Sequence, residues 1–435
     1  MKSDHISFAG AVHRGDVPGR RIGNPPQVDN LPHRQAGQPA LHWGCGFGGV
    51  LKTADVIIIG GGIVGSSVAY HLTEAGVRNV VVLERESHQG KGSTGKSMGG
   101  VRAQFSTTAS IRMSLYSIPF FRRFEEVMGH PSGYRPQGYL FVATEERHMQ
   151  YLRDNYARQV AAGLEQVHLL KPDDVAHYAP EIRHDDVIGG SFCATDGFVD
   201  PHSVMTGFMQ KAVERGVELM RNTEVTAIHH DARGVSGVET TQGPVSGRTI
   251  VNCAGAWAGL VAKQAGVALP VEPLRRMLVP TEPFDKVSHL SPMVVDMGTG
   301  FHYRPETLGI LMAWNDPEEK PGFKTNFDPG FIEKILTRGV ERLPVLEEAE
   351  INPKRAWAGL YEMTPDHHPV LGAVPELPGF FLANGFSGHG VMHSPATGRI
   401  TADLIVHGRT DLVETGLLGL DRFAAGRLIH ETAVL

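Results

Sequence analysis

Residues 55–85 read DVIIIGGGIVGSSVAYHLTEAGVRNVVVLER. Val56 to Ile59 is an apolar, β-branched run, the pattern of a parallel strand buried on both faces. Gly60, Gly62 and Gly65 follow in G-x-G-x-x-G spacing, with Gly61, Ile63 and Val64 between them. A helical pattern runs from Ile63 to Ala75, and Gly76 stands where a left-handed C-cap residue is expected. A second strand, Val80 to Leu83, leads to Glu84 and Arg85. Each feature has a mechanical job in a dinucleotide cradle. The first glycine permits the tight turn, the second lets backbone approach a pyrophosphate, and the third lets helix pack on strand. The helix N-terminus presents unpaired N–H groups to phosphate. Glu84 can accept hydrogen bonds from ribose hydroxyls and would repel a 2′-phosphate, so FAD or NAD is expected rather than NADP.

The 435 residues are enough for two or three domains. A hydrophobic content of 41% and a charged content of 20% are those of a soluble globular protein. A net charge of −6 with no long basic run gives no electrostatic footprint for nucleic acid. Cys45, Cys193 and Cys253 are too scattered for a disulfide framework or a C-x-x-C site, which suits a reduced, cytoplasmic setting. Residues 1–10 lack the apolar core of a signal peptide, and the longest apolar run is broken at Gly60–Gly62, so no transmembrane segment is expected. Residues 1–50, rich in Pro, Gly, His, Arg and Gln without periodicity, are expected to form a disordered extension. Their Gly44, Gly46 and Gly49 match the glycine spacing, but no strand precedes them and no helix follows.

Small residues dominate 87–106. Ser93, Thr94 and Ser97 can donate to phosphate, Gly99 and Gly100 allow close backbone approach, and Arg102 brings a fixed charge. A helix from Ile111 to Val127 is expected next. The pattern then changes to a strand at Tyr139–Val142 and a charged helix at 145–162. Asp200 and Pro201 form an N-cap and first-turn pair. The apolar strand 249–253 ends in Ala254, Gly255, Ala256 and Trp257. Strand-like pieces at 274–279, 300–304 and 309–313 and a helix at 329–342 make a second excursion. The organisation expected is a nucleotide-binding domain of residues 51–131, 197–270 and 355–410, a second domain of 132–196 and 271–354, and a C-terminal tail, 411–435.

Five stretches in order, the glycine unit at 60–65, STGKSMGGVR at 93–102, NCAGAWA at 252–258, GLYEMTPDHHPVLG at 359–372 and GFSGHGVMH at 385–393, resemble the D-amino-acid and sarcosine oxidase (DAO) family of FAD enzymes. The likeness extends over about residues 54–410 and is closest to sarcosine oxidase β subunits and to proline and opine dehydrogenases. It implies an α/β (α+β) fold, a Rossmann-like FAD-binding domain interrupted by a substrate domain on a mixed β-sheet. It also implies FAD contacts from Gly60 to Gly65, Glu84, Arg85, Ser93, Thr94, Ser97, Gly99, Gly100, Val225, Ala254, Gly255, Trp257 and Gly359. The loop of Gly388, His389, Gly390, Val391 and Met392 would place N–H groups beside the flavin. Gly359 stands where monomeric sarcosine oxidases attach FAD through a Cys, so FAD is expected to be non-covalent. Phe105 and Met392 replace an Arg and a Lys that hold a substrate carboxylate, and Leu311 replaces an oxygen-activating Lys, which favours a dehydrogenase. His202 lies one residue from the FMN-linking His of β subunits, which argues against FMN.

The candidates on the substrate side are Arg102, Tyr303, Arg304, Tyr361 and His389. Arg102 or Arg304 can hold a carboxylate as a bidentate pair, and His389 can bias the ionisation of an amine. The close histidine sets, 229–230, 367–368 and 389/393, lack the partners of a metal site, so no metal is expected. No G-x-S-x-G elbow supports hydrolase chemistry. The expected reaction is oxidation of a secondary amine or amino acid by hydride transfer to flavin N5, giving an imine that hydrolyses. A flavin-binding assembly protein without turnover and an NAD-linked dehydrogenase are the competing readings. The expected partners are a small amine or amino-acid substrate and additional oxidoreductase subunits.

Overall fold

The computed structural model describes residues 52–433. The expectations for residues 1–50, including Cys45 and the glycines at 44–49, lie outside the described residues. Strands that are apolar at every position need cover on both faces, and the two strands of the opening motif have it. Val56, Ile58, Val80 and Val82 enter one core, and Ile57, Ile59, Val81 and Leu83 enter another. They sit inside a six-stranded sheet ordered Val370–Ala373, Phe380–Asn384, Ile250–Asn252, Val56–Ile59, Val80–Leu83 and Glu218–Met220. Its pairings are parallel except for the first, an antiparallel hairpin. The helix Ile63–Glu74 packs between Pro201–Glu214 and Ser394–His407. The expected cap of the middle helix is present: Asp200 Oδ1 accepts the N–H groups of His202 and Ser203, both at 2.9 Å. The helix expected at 111–127 breaks at Arg123 into Thr108–Arg122 and Phe124–Met128.

An eight-stranded sheet is ordered Trp357–Met363, Glu272–Pro280, Gly309–Ala313, His302–Glu306, Met293–Asp296, Tyr139–Ala143, Gly189–Cys193 and Val167–Leu170. Only the 293–296 pairing with 139–143 is parallel. Trp357–Met363, grouped by sequence with the nucleotide-binding part, belongs to this sheet instead, paired along its whole length with Glu272–Pro280. Its sequence, WAGLYEM, has no period-two alternation of apolar and polar residues to mark it as a strand.

The C-terminal segment is packed into the fold rather than trailing from it. Arg422, fully buried, pairs with Asp366 at 2.7 Å. Glu431, also fully buried, accepts Ser106 N at 2.9 Å, Ser106 Oγ at 2.5 Å and Thr107 Oγ1 at 2.9 Å. No helix among the described residues is long and apolar enough to cross a membrane.

Candidate active site

A cavity of about 360 Å³ opens beyond the ends of the strands at Ile59, Leu83 and Asn252 and extends to the eight-stranded sheet. At one end its wall is largely main chain. Gly60 has φ of +105°, and a Cβ there would sit 2.5 Å from Cys253 O; a Cβ on Gly65 would sit 2.0 Å from Gly60 O. Only glycine fits either place. Glu84 lines this end, accepting Gly61 N on Oε2 at 3.0 Å and Glu86 N on Oε1 at 2.9 Å. Each oxygen keeps a further lone pair. Thr94 Oγ1 accepts Ile63 N at 3.1 Å, and Ser93 Oγ donates to Leu360 O at 2.6 Å, so the 93–97 loop is tied to the helix start and to the larger sheet. The Arg85 guanidinium lies 4.0 Å over the Trp257 ring. Gly62, Val64, Ser97, Gly100, Val225, Ala254 and Gly255 also line the cavity, whereas Gly61, Gly65 and Gly99 stand behind the lining. An open helix start, an acid and a stacking pair are the parts that the adenosine diphosphate half of a dinucleotide needs, and the residues present fit it.

At the other end Gly359, Tyr361 and the loop from Gly388 to Met392 line the cavity. His389 N donates to Phe386 O at 3.0 Å and is spent. The N–H groups of Gly390, Val391 and Met392 have no protein acceptor among the described residues, and they precede the helix Ser394–His407. Such a set of free amides suits negative charge developing on a bound ring. His389 is buried, and burial first, then the Arg102 charge, holds its pKa well below the ordinary histidine value. Arg102 Nη2 stands 3.4 Å from His389 Nε2, but Nη1 donates to Gln104 O at 2.5 Å and Nη2 to Ala433 O. Its face rests 3.9 Å from the Phe105 ring centre. Arg102 is in the cavity wall with its donors largely used.

Tyr303 and Arg304, expected on the substrate side, do not line the cavity. Side chains alternate along a strand, and it is their neighbour His302 that faces inward. Tyr303 points to the opposite core, its hydroxyl donating to Glu181 Oε1 at 2.8 Å. Arg304 is consumed by Met98 O, Pro305 O, each at 2.8 Å, and Glu306. His202 is exposed on its helix and outside the cavity lining. Sequence reasoning missed Arg276, His302, Trp314, Asn315 and Glu362, all of which line the cavity. Glu362 is half-buried, accepts Gly385 N at 2.9 Å, and loss of solvent around it raises its carboxyl pKa to about 7. Among the described residues no group of three or more His, Cys, Asp or Glu is placed to hold a metal.

Residues 55–404 match the protein family described as DAO, FAD dependent oxidoreductase. The chain belongs to this family. Its cofactor is FAD, which settles the choice between FAD and NAD that the glycine unit alone left open. The chain is similar, at 34% identity over 419 residues, to FAD-dependent oxidoreductase domain-containing protein 1 of Xenopus laevis, covering 86% of this chain and 83% of that one. It is 30% identical over 375 residues to mitochondrial sarcosine dehydrogenase of Mus musculus, covering 83% of this chain but only 40% of that longer protein. Among solved structures, L-proline dehydrogenase from P. horikoshii superposes with a TM-score of 0.81 at 30% identity, over 87% of this chain and 100% of that one. Glycine oxidase from Geobacillus kaustophilus gives a TM-score of 0.75 at 26% identity, over 85% and 99% of the two chains.

Proposed function

We propose that this DAO chain oxidises a secondary amine or an α-amino acid and passes the electrons to an acceptor other than oxygen. The observation that carries this reading is the single cavity joining the FAD cradle to a buried end walled by His389, Tyr361 and arginine side chains. The names of its relatives, sarcosine dehydrogenase and L-proline dehydrogenase, support the substrate class. In this assignment the six-stranded sheet and its helices carry the cofactor and the eight-stranded sheet carries the substrate.

Bound FAD supplies the two-electron acceptor for a hydride from the carbon beside nitrogen, and the resulting imine hydrolyses in water. Gly60 to Gly65 and Glu84 would hold the adenosine end, and the N–H groups of Gly390, Val391 and Met392 the edge of the ring. The protein's task at the other end is to present a neutral amine, whose lone pair can form the C=N bond. Arg102 and Arg276 give the lining positive charge, and a second cation beside them in a desolvated space is disfavoured. His389, held neutral by burial and the Arg102 charge, adds no further cation to this end.

Gly359 lines the cavity without a side chain that could carry a flavin link, which supports non-covalent attachment. Of the described cysteines, Cys253 lines the adenosine end and Cys193 lies outside the cavity lining. Leu311, paired by sequence with an oxygen-activating Lys, is buried beside Leu278 and Ala313 and does not itself line the cavity, so it does not bear on the choice between dehydrogenase and oxidase. The test is turnover of the FAD-loaded protein with N-methylglycine, proline, an opine and a D-amino acid. A dye acceptor should be reduced faster than oxygen is consumed, with release of a carbonyl product. Oxygen uptake as fast as dye reduction would remove the dehydrogenase assignment, and dye reduction by no amine would remove the reaction.

A further inference from the structure

Glu362 lines the cavity beside Tyr361 on the strand Trp357–Met363, and the amine oxidation proposed above gives it no part. Its Oε2 accepts Gly385 N at 2.9 Å, and its main-chain carbonyl accepts Ser387 N at 3.1 Å, so one residue grips the same turn twice. The Phe386 N–H adds to this by favouring the ionised carboxyl. No cation among the described residues pairs with Glu362; what its side chain holds is main chain.

The turn needs holding. Gly385 and Gly388 have φ of +78° and +101°, which glycine adopts freely, but Ser387 between them has φ of +51°. A residue with a side chain in this left-handed region costs about 1–2 kcal/mol and persists only where its surroundings fix it. Thr364 N donates to Ser387 Oγ at 3.1 Å, and a Cβ on Gly388 would lie 2.5 Å from Tyr361 Cε2, so the segment 361–364 braces the turn along its length. The chain then runs through His389 into Gly390, Val391 and Met392, whose N–H groups have no protein acceptor among the described residues. Reduction of a flavin leaves negative charge on the ring, and amides stabilise that charge only while they are aimed at it. We propose that Glu362 is the positioning residue for these amides: by gripping Gly385 and Ser387 it fixes the turn that aims them at the bound ring, and so sets how readily FAD accepts electrons. The assignment rests on the FAD that the family carries and not on the identity of the substrate.

The test is the midpoint potential of the FAD-loaded protein, titrated without substrate against an indicator dye at about pH 6, where Glu362 is mostly uncharged. Glu362→Ala removes the acceptor and should make reduction roughly tenfold less favourable, a fall of about 30 mV for a two-electron couple. Glu362→Gln keeps an acceptor of the same reach and should stay near the parent. If the Ala variant does not load FAD, Glu362→Asp takes its place; its carboxyl is one methylene short of Gly385 N, and its potential should fall part of the way. FAD loading kept in Glu362→Gln but lost in both Glu362→Ala and Glu362→Asp would support the grip through loading itself. A potential unchanged or raised in Glu362→Ala or Glu362→Asp overturns the proposal, because an acid acting through charge alone would raise the potential when removed. A fall as large in Glu362→Gln as in Glu362→Ala overturns it too. No amine enters the measurement, so the positioning role and the amine-oxidising reading fail separately.

Discussion

At its adenosine end the cavity is walled mainly by main chain that Asp55–Arg85 folds upon itself, with Glu84 reaching back to Gly61 and Gly60 N donating to Leu83 O at 2.9 Å. At its other end the wall consists of side chains from segments far apart in sequence: Arg102, Arg276, His302, Trp314, Tyr361 and His389. The first is set largely by local geometry and leaves no room for a Cβ at Gly60 or Gly65. The second depends on tertiary contacts, down to the C-terminal segment, where Glu431 holds Ser106 and Thr107 and the Ala433 carbonyl holds Arg102. One end is rigid by covalent proximity and the other by packing, so they should fail differently when altered.

The largest contrast comes from Gly65→Ala. Its methyl would sit 2.0 Å from Gly60 O, a backbone atom that cannot rotate away. FAD loading, measured as flavin absorbance per protein, should be lost or nearly so; normal loading would show that the cradle is softer than its geometry. Next is Glu431→Ala, which strands buried partners at Ser106 and Thr107. It should cost on the order of 3 kcal/mol of stability, seen as a lower Tm, while folded molecules keep their affinity for FAD. An unchanged Tm would mean that the C-terminal segment does not brace the substrate end. Glu84→Ala should raise the FAD Kd by roughly tenfold or more. A fully loaded variant would place the ribose elsewhere.

The smallest effect is a pH dependence. Burial raises the Glu362 pKa from an ordinary 4.5 to about 7. A carboxyl raised in the folded state contributes stability that is complete below its unfolded value and is lost as pH climbs through the folded one. Glu362→Gln cannot ionise, so the Tm of the variant minus that of the parent should grow as pH rises from about 4.5 to about 7 and level off above that, at matched FAD loading. A difference that stays flat with pH would show that Glu362 is not buried as a titrating acid.

The same division decides what could be read from sequence. Strand, turn, helix and acid of the cradle fall in one continuous unit, where period and spacing each constrain the others. His302–Pro305 is buried at every position, so nothing in the sequence says which face meets the cavity, and Tyr303 was expected where His302 lies. Arg275 and Arg276 are indistinguishable until Glu319, from a distant segment, is seen to take one of them. The strand Trp357–Met363 carries Gly359 and Tyr361 to the cavity, yet its composition does not mark it as part of the larger sheet. What escaped sequence is what long-range pairing creates.

The central claim for this molecule is that its substrate end is a site of amine oxidation. Anaerobic mixing of the FAD-loaded protein with N-methylglycine and with proline, followed by the visible absorbance of the flavin, tests it most directly. Bleaching by at least one of these amines is expected. A protein that stays yellow with every amine offered would contradict it.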